Sequence, residues 1–467
     1  MEETATSYLG EEKIGRLMLK FSVPCIMSLL IAALYNMVDQ IFIGWGVGYL
    51  GNGATNVVYP LTVIALAIAL LIGDGCAARL SLCQGRGDSE HAHKSVGNLI
   101  TLSLVFGIGL MIIFLVFNEK LMWLFGATEN NIGFARDYFR YIVFGIPFFV
   151  FGNALNGTIR ADGSPKFAMG VSLVGCIMNV ILDPIAIFVL HWGMEGAALA
   201  TIAGQIATAI LTALYLSRMK SVKLRKSSFR IKGDVLRKMI PLGATSFLTQ
   251  ASIVIIMTVM NNTLVRYGAA SKYGADIPLT VFGIVMKVFG LVTSIVVGIT
   301  VGSQPIVGYN CGAGKIGRVK ELFKKLMIVE SIVGVVSMIC FECFPRQIIS
   351  IFGSGDELYM EFAALSFRIF LGTILLCVIQ KSVCIFLQSL GKPGTSTLLS
   401  LLREIIISVP AILLLAKFFG VVGPLWSAPI ADVITFVLAI IFARRTLRQL
   451  EDAAKQENNV SEEIAYA

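Results

Sequence analysis

Charge is scarce in this chain. Only 14% of its 467 residues are Asp, Glu, Lys or Arg, against about 25% in an ordinary soluble domain, and that shortage argues against a water-soluble globular protein. Histidine is scarcer still. His91, His93 and His191 all fall in loops or at the ends of apolar runs, so no intramembrane metal or acid–base set built on imidazole is available. Nine cysteines lie mostly within apolar runs, with no paired C-x-x-C and no nearby His, which indicates neither a zinc site nor a disulfide framework. The lone Cys340-x-x-Cys343 reads, like the rest, as filler thiols. No small-residue cleavage site follows the first apolar run, so it reads as a retained helix. No loop resembles an ion selectivity filter, which disfavours a passive channel. The stretch Leu71-Ile72-Gly73-Asp74 puts Leu71 where the GxGD motif of an intramembrane aspartyl protease needs glycine. The expectation is therefore not an enzyme, with no cofactor.

What the chain has instead is apolar length. Hydrophobic residues make up 56% and the mean hydropathy is +0.81, enough for about a dozen spans of about 20 residues each. Twelve helices are predicted, beginning near residues 17, 54, 94, 136, 165, 194, 238, 276, 319, 360, 394 and 421. Lys and Arg outnumber Asp and Glu by 38 to 29. Assigning loops alternately to two sides puts 27 of the cations on one side and six on the other, with five in or at the ends of spans. Positive charge is retained on the cytoplasmic side. The surplus is thus a topology signal, not a nucleic-acid patch, and a multi-pass protein of the inner (plasma) membrane with both termini cytoplasmic is expected.

The basic stretch around KSVKLRKSSFRIKG divides the chain into halves of six spans, and an internal repeat supports the division. Gly85 and Gly87 match Gly312 and Gly314 at an offset of 227, Gly193 and Gly196 match Gly420 and Gly423, and Pro24 matches Pro241 at 217. LFG at 124–126 likewise matches IFG at 351–353. An even number of spans per half gives both halves one orientation, so the repeat axis lies along the membrane normal. The fold class expected is an all-α membrane protein, twelve transmembrane helices in two six-helix bundles related by a pseudo-twofold. Its parts are a cytoplasmic segment 1–16, an N-terminal bundle 17–218, a basic linker 219–237, a C-terminal bundle 238–447 and a polar tail 448–467 expected to be disordered.

Polar side chains at membrane depth are the functional candidates. Asp39 lies in the first span, Asn179 and Asp183 share one face of the fifth, and Thr201 begins the sixth. At ~1.5 Å per residue, Asp39 is about 10 Å below the outer end of its helix, Asp183 about 12 Å from His191 and Thr201 about 9 Å inward from Glu195. All three reach similar depth in the outer half of the first bundle. Pro184 has no amide hydrogen and displaces the carbonyl of Val180. Carboxylate, amide, hydroxyl and freed carbonyl suit Na⁺, or a carboxylate pair sharing a proton. The blander alternative is that these groups only hydrogen-bond helices together; it is weakened because the matching positions of the second half, near Val409 and Ile405, are apolar. There, Lys381 and Arg403 are expected to face Glu404 or Glu330 as structural ion pairs, with the roles of Lys381, Arg403, Glu404 and Asp432 left open. Asp74 is expected to be solvated near a helix end. Tyr35, Met37, Tyr138, Tyr141, Phe148, Phe149 and Met178 recur near the candidate cleft, Met surfaces being suited to promiscuous ligands.

These residues resemble the multidrug and toxic compound extrusion (MATE) transporters, in particular the MepA-like and DinF-like branch. The resemblance rests on the twelve spans in two repeats, the early prolines of the first and seventh spans, YNMVDQIFIG, the GRGD and GAGK loops, and RADGSPK with its counterpart SLGKPGTS. It implies that Asp39, Asn179, Asp183 and Thr201 form a cation-coupling site for H⁺ or Na⁺, and that Tyr35, Tyr138 and Asn156 line a substrate cavity, to which Met178 is added here. The activity implied is export of small-molecule amphipathic organic cations and drugs against an inward ion flow, by a monomer in the lipid bilayer. A lipid or polysaccharide-precursor flippase of the same superfamily is the alternative, and would need cations in the cleft. Relatives with coupling acids on the seventh and tenth spans differ from this chain, which has Gln250, Gln380 and Lys381 there; that favours a site in the first lobe.

Overall fold

The computed structural model describes residues 7–47, 49–125, 127, 132–274, 276–352 and 357–466. Among them there is no strand. With no water in the bilayer core, each backbone N–H and C=O must be satisfied within its own segment, and the apolar runs do so as helices. We number the spans α1 (Ile14–Gly46), α2 (Tyr49–Gly85), α3 (Ser89–Val116), α4 (Ile132–Ala161), α5 (Pro165–Pro184) and α6 (Gly193–Leu216) in the first lobe. The second lobe has α7 (Gly233–Ala269), α8 (Asp276–Gly312) and α9 (Ile316–Cys343). It continues with α10, formed by Glu357–Phe370 and Ile374–Ser389, which meet at a 45° bend. In α11, Pro393–Leu401 and Ser408–Phe419 are joined by the π turn Leu402–Ile407. After a 3₁₀ segment, Gly420–Trp426, comes α12, Ser427–Tyr466. Among the described residues, ten continuous helices are long and apolar enough to cross a membrane, and the bent α10 makes one more. The longest of the ten runs from Pro393 to Asp452, about 90 Å at the α-helical rise, and its break at Gly420 makes it two spans.

The repeat read from the sequence is built into the lobe–lobe contact, where α1 packs on α8, α2 on α7, and α2 on α8. Gly243 on α7 lies so close to α2 that a side-chain carbon there would overlap the Leu71 carbonyl. Position 298 matches Leu71 and position 26 matches Gly243. At that mated crossing the glycine is on the opposite partner: a carbon at Gly298 would stand 2.7 Å from Ile26 Cα. On the axis, Gly85 abuts Tyr309 O and Gly312 abuts Leu82 O, each pair the image of the other. Small residues at such positions let backbones approach closely, the main source of helix association in lipid. Ser22 Oγ of α1 also donates to Ile299 O of α8 at 3.0 Å. These contacts all lie in the half of the membrane next to the termini, here called the terminal side. In the other half, the outer side, a carbon at Gly283 or Gly290 of α8 would meet nothing within 4 Å.

Two terminal-side segments tie the lobes further. Tyr8 OH donates to Gly163 O of the first lobe at 3.3 Å, while Asn310 Nδ2 and Arg318 of the second lobe donate to Leu9 O. The basic linker is shorter than expected, because α7 starts at Gly233. Buried Asn98 of α3 grips it, donating to Ser228 O and Arg230 O and accepting from Lys232 N at 2.9 Å. Buried Asp162 accepts from Tyr215 OH and from the amides of Lys220 and Ser221. At the far end the backbone stays helical to Tyr466 where disorder was expected; the Glu, Ala, Lys and Gln there are good helix formers.

Candidate functional site

In the outer half of the first lobe, α1, α5 and α6 bring four of the expected residues together. Asp39 stands on α1, Asn179 and Asp183 one turn apart on α5, and Thr201 in the third turn of α6. Asn179 Nδ2 donates to Thr201 Oγ1 at 3.0 Å and to Asp183 Oδ1 at 3.4 Å. The Asp39 and Asp183 carboxylates lie against each other. Asp183 is 0% exposed and Asn179 2%. Three oxygens of this cluster, Asp39 Oδ1, Asp183 Oδ2 and Asn179 Oδ1, are buried without a hydrogen-bond partner. Among the described residues neither carboxylate forms an ion pair with Lys or Arg.

A buried acceptor without a donor costs about 1–3 kcal/mol, and two adjacent carboxylates in a low-dielectric medium repel strongly. Three such oxygens in one place therefore call for a positive partner from outside the chain. Either a proton held between the carboxylates or a small oxygen-seeking cation satisfies the geometry. The donor set, two carboxylates, one amide and one hydroxyl, is all oxygen and suits a hard cation. Among the described residues no group of three or more His, Cys, Asp or Glu could hold a metal ion.

The helices seal this cluster on its outer side. Past Pro184 the chain continues as a π turn, Ile185–Val189, in which Pro184 cannot donate and the helix widens. The turn pushes Ile187 into the space over Gly46 and sets the Phe188 ring edge-on to Phe42, centroids 6.3 Å apart. Ile43 and Ile187, each one turn outward of a carboxylate, are buried. On the other side Tyr35 of α1 and Tyr138 of α4 approach Asp39 and the Thr201 hydroxyl. Met178 precedes Asn179 and is half-buried. The side chain of Met37 lies outside the described residues, as do Gly126 and Gly353 of the repeated LFG and IFG.

Asn156 does not join them. It is eighteen residues beyond Tyr138 on α4, about 27 Å along the helix. Its amide donates to Ala168 O and Ser172 Oγ, both at 3.2 Å, and its oxygen accepts from Arg160. Asp74 is likewise not a solvated helix-end residue, because its Oδ2 accepts from Ser246 of α7 at 2.7 Å. Gln388 in turn donates to Leu242 O and Ser246 Oγ, so this polar bridge spans the lobes.

Four charged residues of the second lobe pair with one another. Arg403, on the π turn of α11, donates through Nε to Asp432 Oδ1 at 2.8 Å and through Nη1 to Glu404 Oε1 at 2.6 Å. Lys381 Nζ adds a bond to Glu404 at 3.2 Å and Thr373 one to Asp432 at 2.9 Å. Two cations face two anions, as the expected ion pairing requires. Glu330 stands outside that network, its Oε1 accepting from Thr300 at 2.8 Å. Sequence reasoning missed Asp432 as the second partner of Arg403. It also missed Asn98 and Asp162, whose signal was a polar residue facing the basic linker.

The comparisons with known proteins agree with this architecture. The MatE family model matches residues 24–185 and 245–414, one segment in each lobe. The multidrug export protein MepA of Staphylococcus haemolyticus (strain JCSC1435) is 26% identical over 467 residues, covering 97% of this chain and 99% of the relative. MepA of Staphylococcus aureus (strain N315) is 24% identical over 448 residues, 94% and 96% of the two chains. Among solved structures, a MATE in the bent conformation superposes with a TM-score of 0.89 at 21% identity, covering 97% of this chain and 99% of that one. An outward-facing multidrug resistance MATE family transporter of the MOP superfamily gives 0.89 at 21% identity, with 96% and 99% covered. With the family model matched in both lobes and the twelve-helix fold shared along nearly the whole length, this chain belongs to the MatE family and is a transporter, not an enzyme.

Proposed function

We propose that the chain is a multidrug exporter driven by inward H⁺ or Na⁺, the ion binding at Asp39, Asn179, Asp183 and Thr201. The carrying observation is the trio of buried, unpartnered oxygens around two touching carboxylates that no Lys or Arg among the described residues neutralises. Asp39 and Asp183 belong to different helices, so occupancy of the site changes how tightly α1 and α5 are held together. A ligand shifts an equilibrium only by its differential affinity for the two states, and this joint between helices supplies that difference. Ion binding reshapes the first lobe, and the lobes then rock so that the terminal-side glycine crossings part as access alternates.

Amphipathic organic cations are the substrate class. Carboxylates near the phenol rings of Tyr35 and Tyr138 attract positive charge, and aromatic faces bind such cations when desolvated. A pyrophosphate-bearing lipid would need cations here, where the residues are acidic. The termini are taken as cytoplasmic from the Lys and Arg bias, which places the sealed side of the ion site outward in the plasma membrane.

The test is ethidium efflux from proteoliposomes under separately imposed pH and Na⁺ gradients, with Asp39→Asn and Asp183→Asn beside the wild type. Efflux driven by one gradient and lost in both variants is expected. Coupled efflux at the wild-type rate in Asp183→Asn would remove that residue from the mechanism.

A further inference from the structure

Away from the ion site, α9 and α12 enclose a groove of about 730 Å³ on the outside of the second lobe. Its length is apolar but for Ser331, lined by Met327, Ile328, Ile332, Val335 and Ile440, and its terminal-side end carries Lys324 and Arg444. Ile328 and Ile332 are 51% and 58% exposed, so in a membrane this face meets lipid. Among the described residues, Lys324 and Arg444 have no ion pair or hydrogen bond. Their neighbours do: Lys320 pairs with Glu451, and Lys325 with Glu321 at 2.7 Å. Two unneutralised cations thus stand together at the mouth of an apolar slot, where every other nearby Lys of α9 has an acid.

The dimensions select the occupant. Lys324 and Val336 are twelve residues apart on one helix, about 18 Å along its axis, while one leaflet of a bilayer has an apolar depth of about 15 Å. The groove therefore runs from headgroup level to near the bilayer midplane. A cationic drug is repelled by its mouth, and an extended peptide would leave backbone groups unsatisfied against its apolar walls. We propose that this groove is a binding site for an anionic phospholipid of the terminal-side leaflet, its phosphate held by Lys324 and Arg444 and an acyl chain lying along Met327, Ile332 and Val335. The site is independent of the ion-coupling reading above, since it uses neither its residues nor its lobe.

The test is native mass spectrometry of the delipidated full-length protein in detergent, titrated with phosphatidylglycerol and with phosphatidylcholine. The wild type is expected to retain phosphatidylglycerol in preference. The double variant Lys324→Gln with Arg444→Gln is expected to lose about thirtyfold of that preference, the size of two cations acting on an anionic lipid. A control pair, Lys223→Gln with Arg225→Gln in the linker, removes the same charge elsewhere and is expected to change nothing. Melting of each variant without lipid, expected to match the wild type, separates a lost site from a lost fold. Equal retention of the two lipids by the wild type, an equal loss in the control pair, or full displacement by glycerol phosphate would overturn the proposal.

Discussion

Substituting Gly243 by alanine tests the lobe contact on which alternating access depends. A Cβ at this position overlaps the Leu71 carbonyl of α2, a backbone atom with no freedom to swing aside. Restoring ordinary van der Waals separation requires α7 and α2 to part by more than about 1 Å. Overpacking of this kind costs about 1–3 kcal/mol. Because the contact is made with the terminal side closed, the cost falls on that state alone, and the balance moves toward terminal-side opening by about 5- to 150-fold. The mated substitution, Gly298→Ala, is milder, since its carbon would stand 2.7 Å from Ile26 Cα with the flexible Ile26 side chain as its next neighbour. Spin labels at Lys166→Cys and Lys392→Cys in a cysteine-depleted background read the distance between lobes across the terminal face. Gly243→Ala should enlarge the long-distance population and Gly298→Ala do so less. A Gly243→Ala distribution identical to the wild type, or a larger shift in Gly298→Ala, would refute the reasoning.

Two further outcomes follow from polar groups described above. Arg403→Met leaves Asp432 without a cation and Glu404 with Lys381 alone, and should lower stability by about 3–5 kcal/mol, as breaking a buried ion network does; adding Asp432→Asn should restore part of it, and thermal melting in detergent reads both. Outside the membrane, Asp88 caps α3 through its bond from His91 N at 3.1 Å. Partial burial pushes its carboxyl up, but the hydrogen bonds from the His91 amide and ring win and hold it below the usual carboxylate range. Its stabilisation is thus present above the unfolded carboxylate value and lost as pH falls through the lowered folded one. Asp88→Ala should cost about 1 kcal/mol near neutral pH and nothing in acid, measured as hydrogen exchange in the first turn of α3.

Depth along a spanning helix can be counted from sequence, and for that reason Asp39, Asn179, Asp183 and Thr201 were legible as one cluster: three helices crossing a slab of fixed thickness leave little freedom in where a residue falls. The same count puts Asn156 about 27 Å along α4 from Tyr138, a separation that the resemblance by itself did not convey. Pairing in the second lobe was legible only in part. Lys381, Arg403 and Glu404 are near in sequence or on facing spans, while Asp432 reaches Arg403 because the π turn of α11 rotates that side chain toward α12, a register change that no apolar periodicity reveals. Asp74 was misjudged because its bilayer depth says nothing of Ser246 on the other lobe. The twelve spans themselves were legible because lipid permits the backbone so few alternatives.

The exchange of glycine between mated crossings carries a lesson about descent. Had a duplicated six-helix ancestor needed glycine at fixed places in its sequence, both copies would retain it at the same numbers of the repeat. Here Gly243 answers Ile26 and Leu71 answers Gly298, so one missing side chain per crossing suffices and either partner can provide it. At this crossing the gap between two backbones is kept while the helix that leaves it open differs between the halves; at the neighbouring one, Gly75 against Met239 and Gly302 against Ser22, the same helix of the repeat leaves it. At this crossing a repeat alignment that scores each half by position alone understates how closely the halves match.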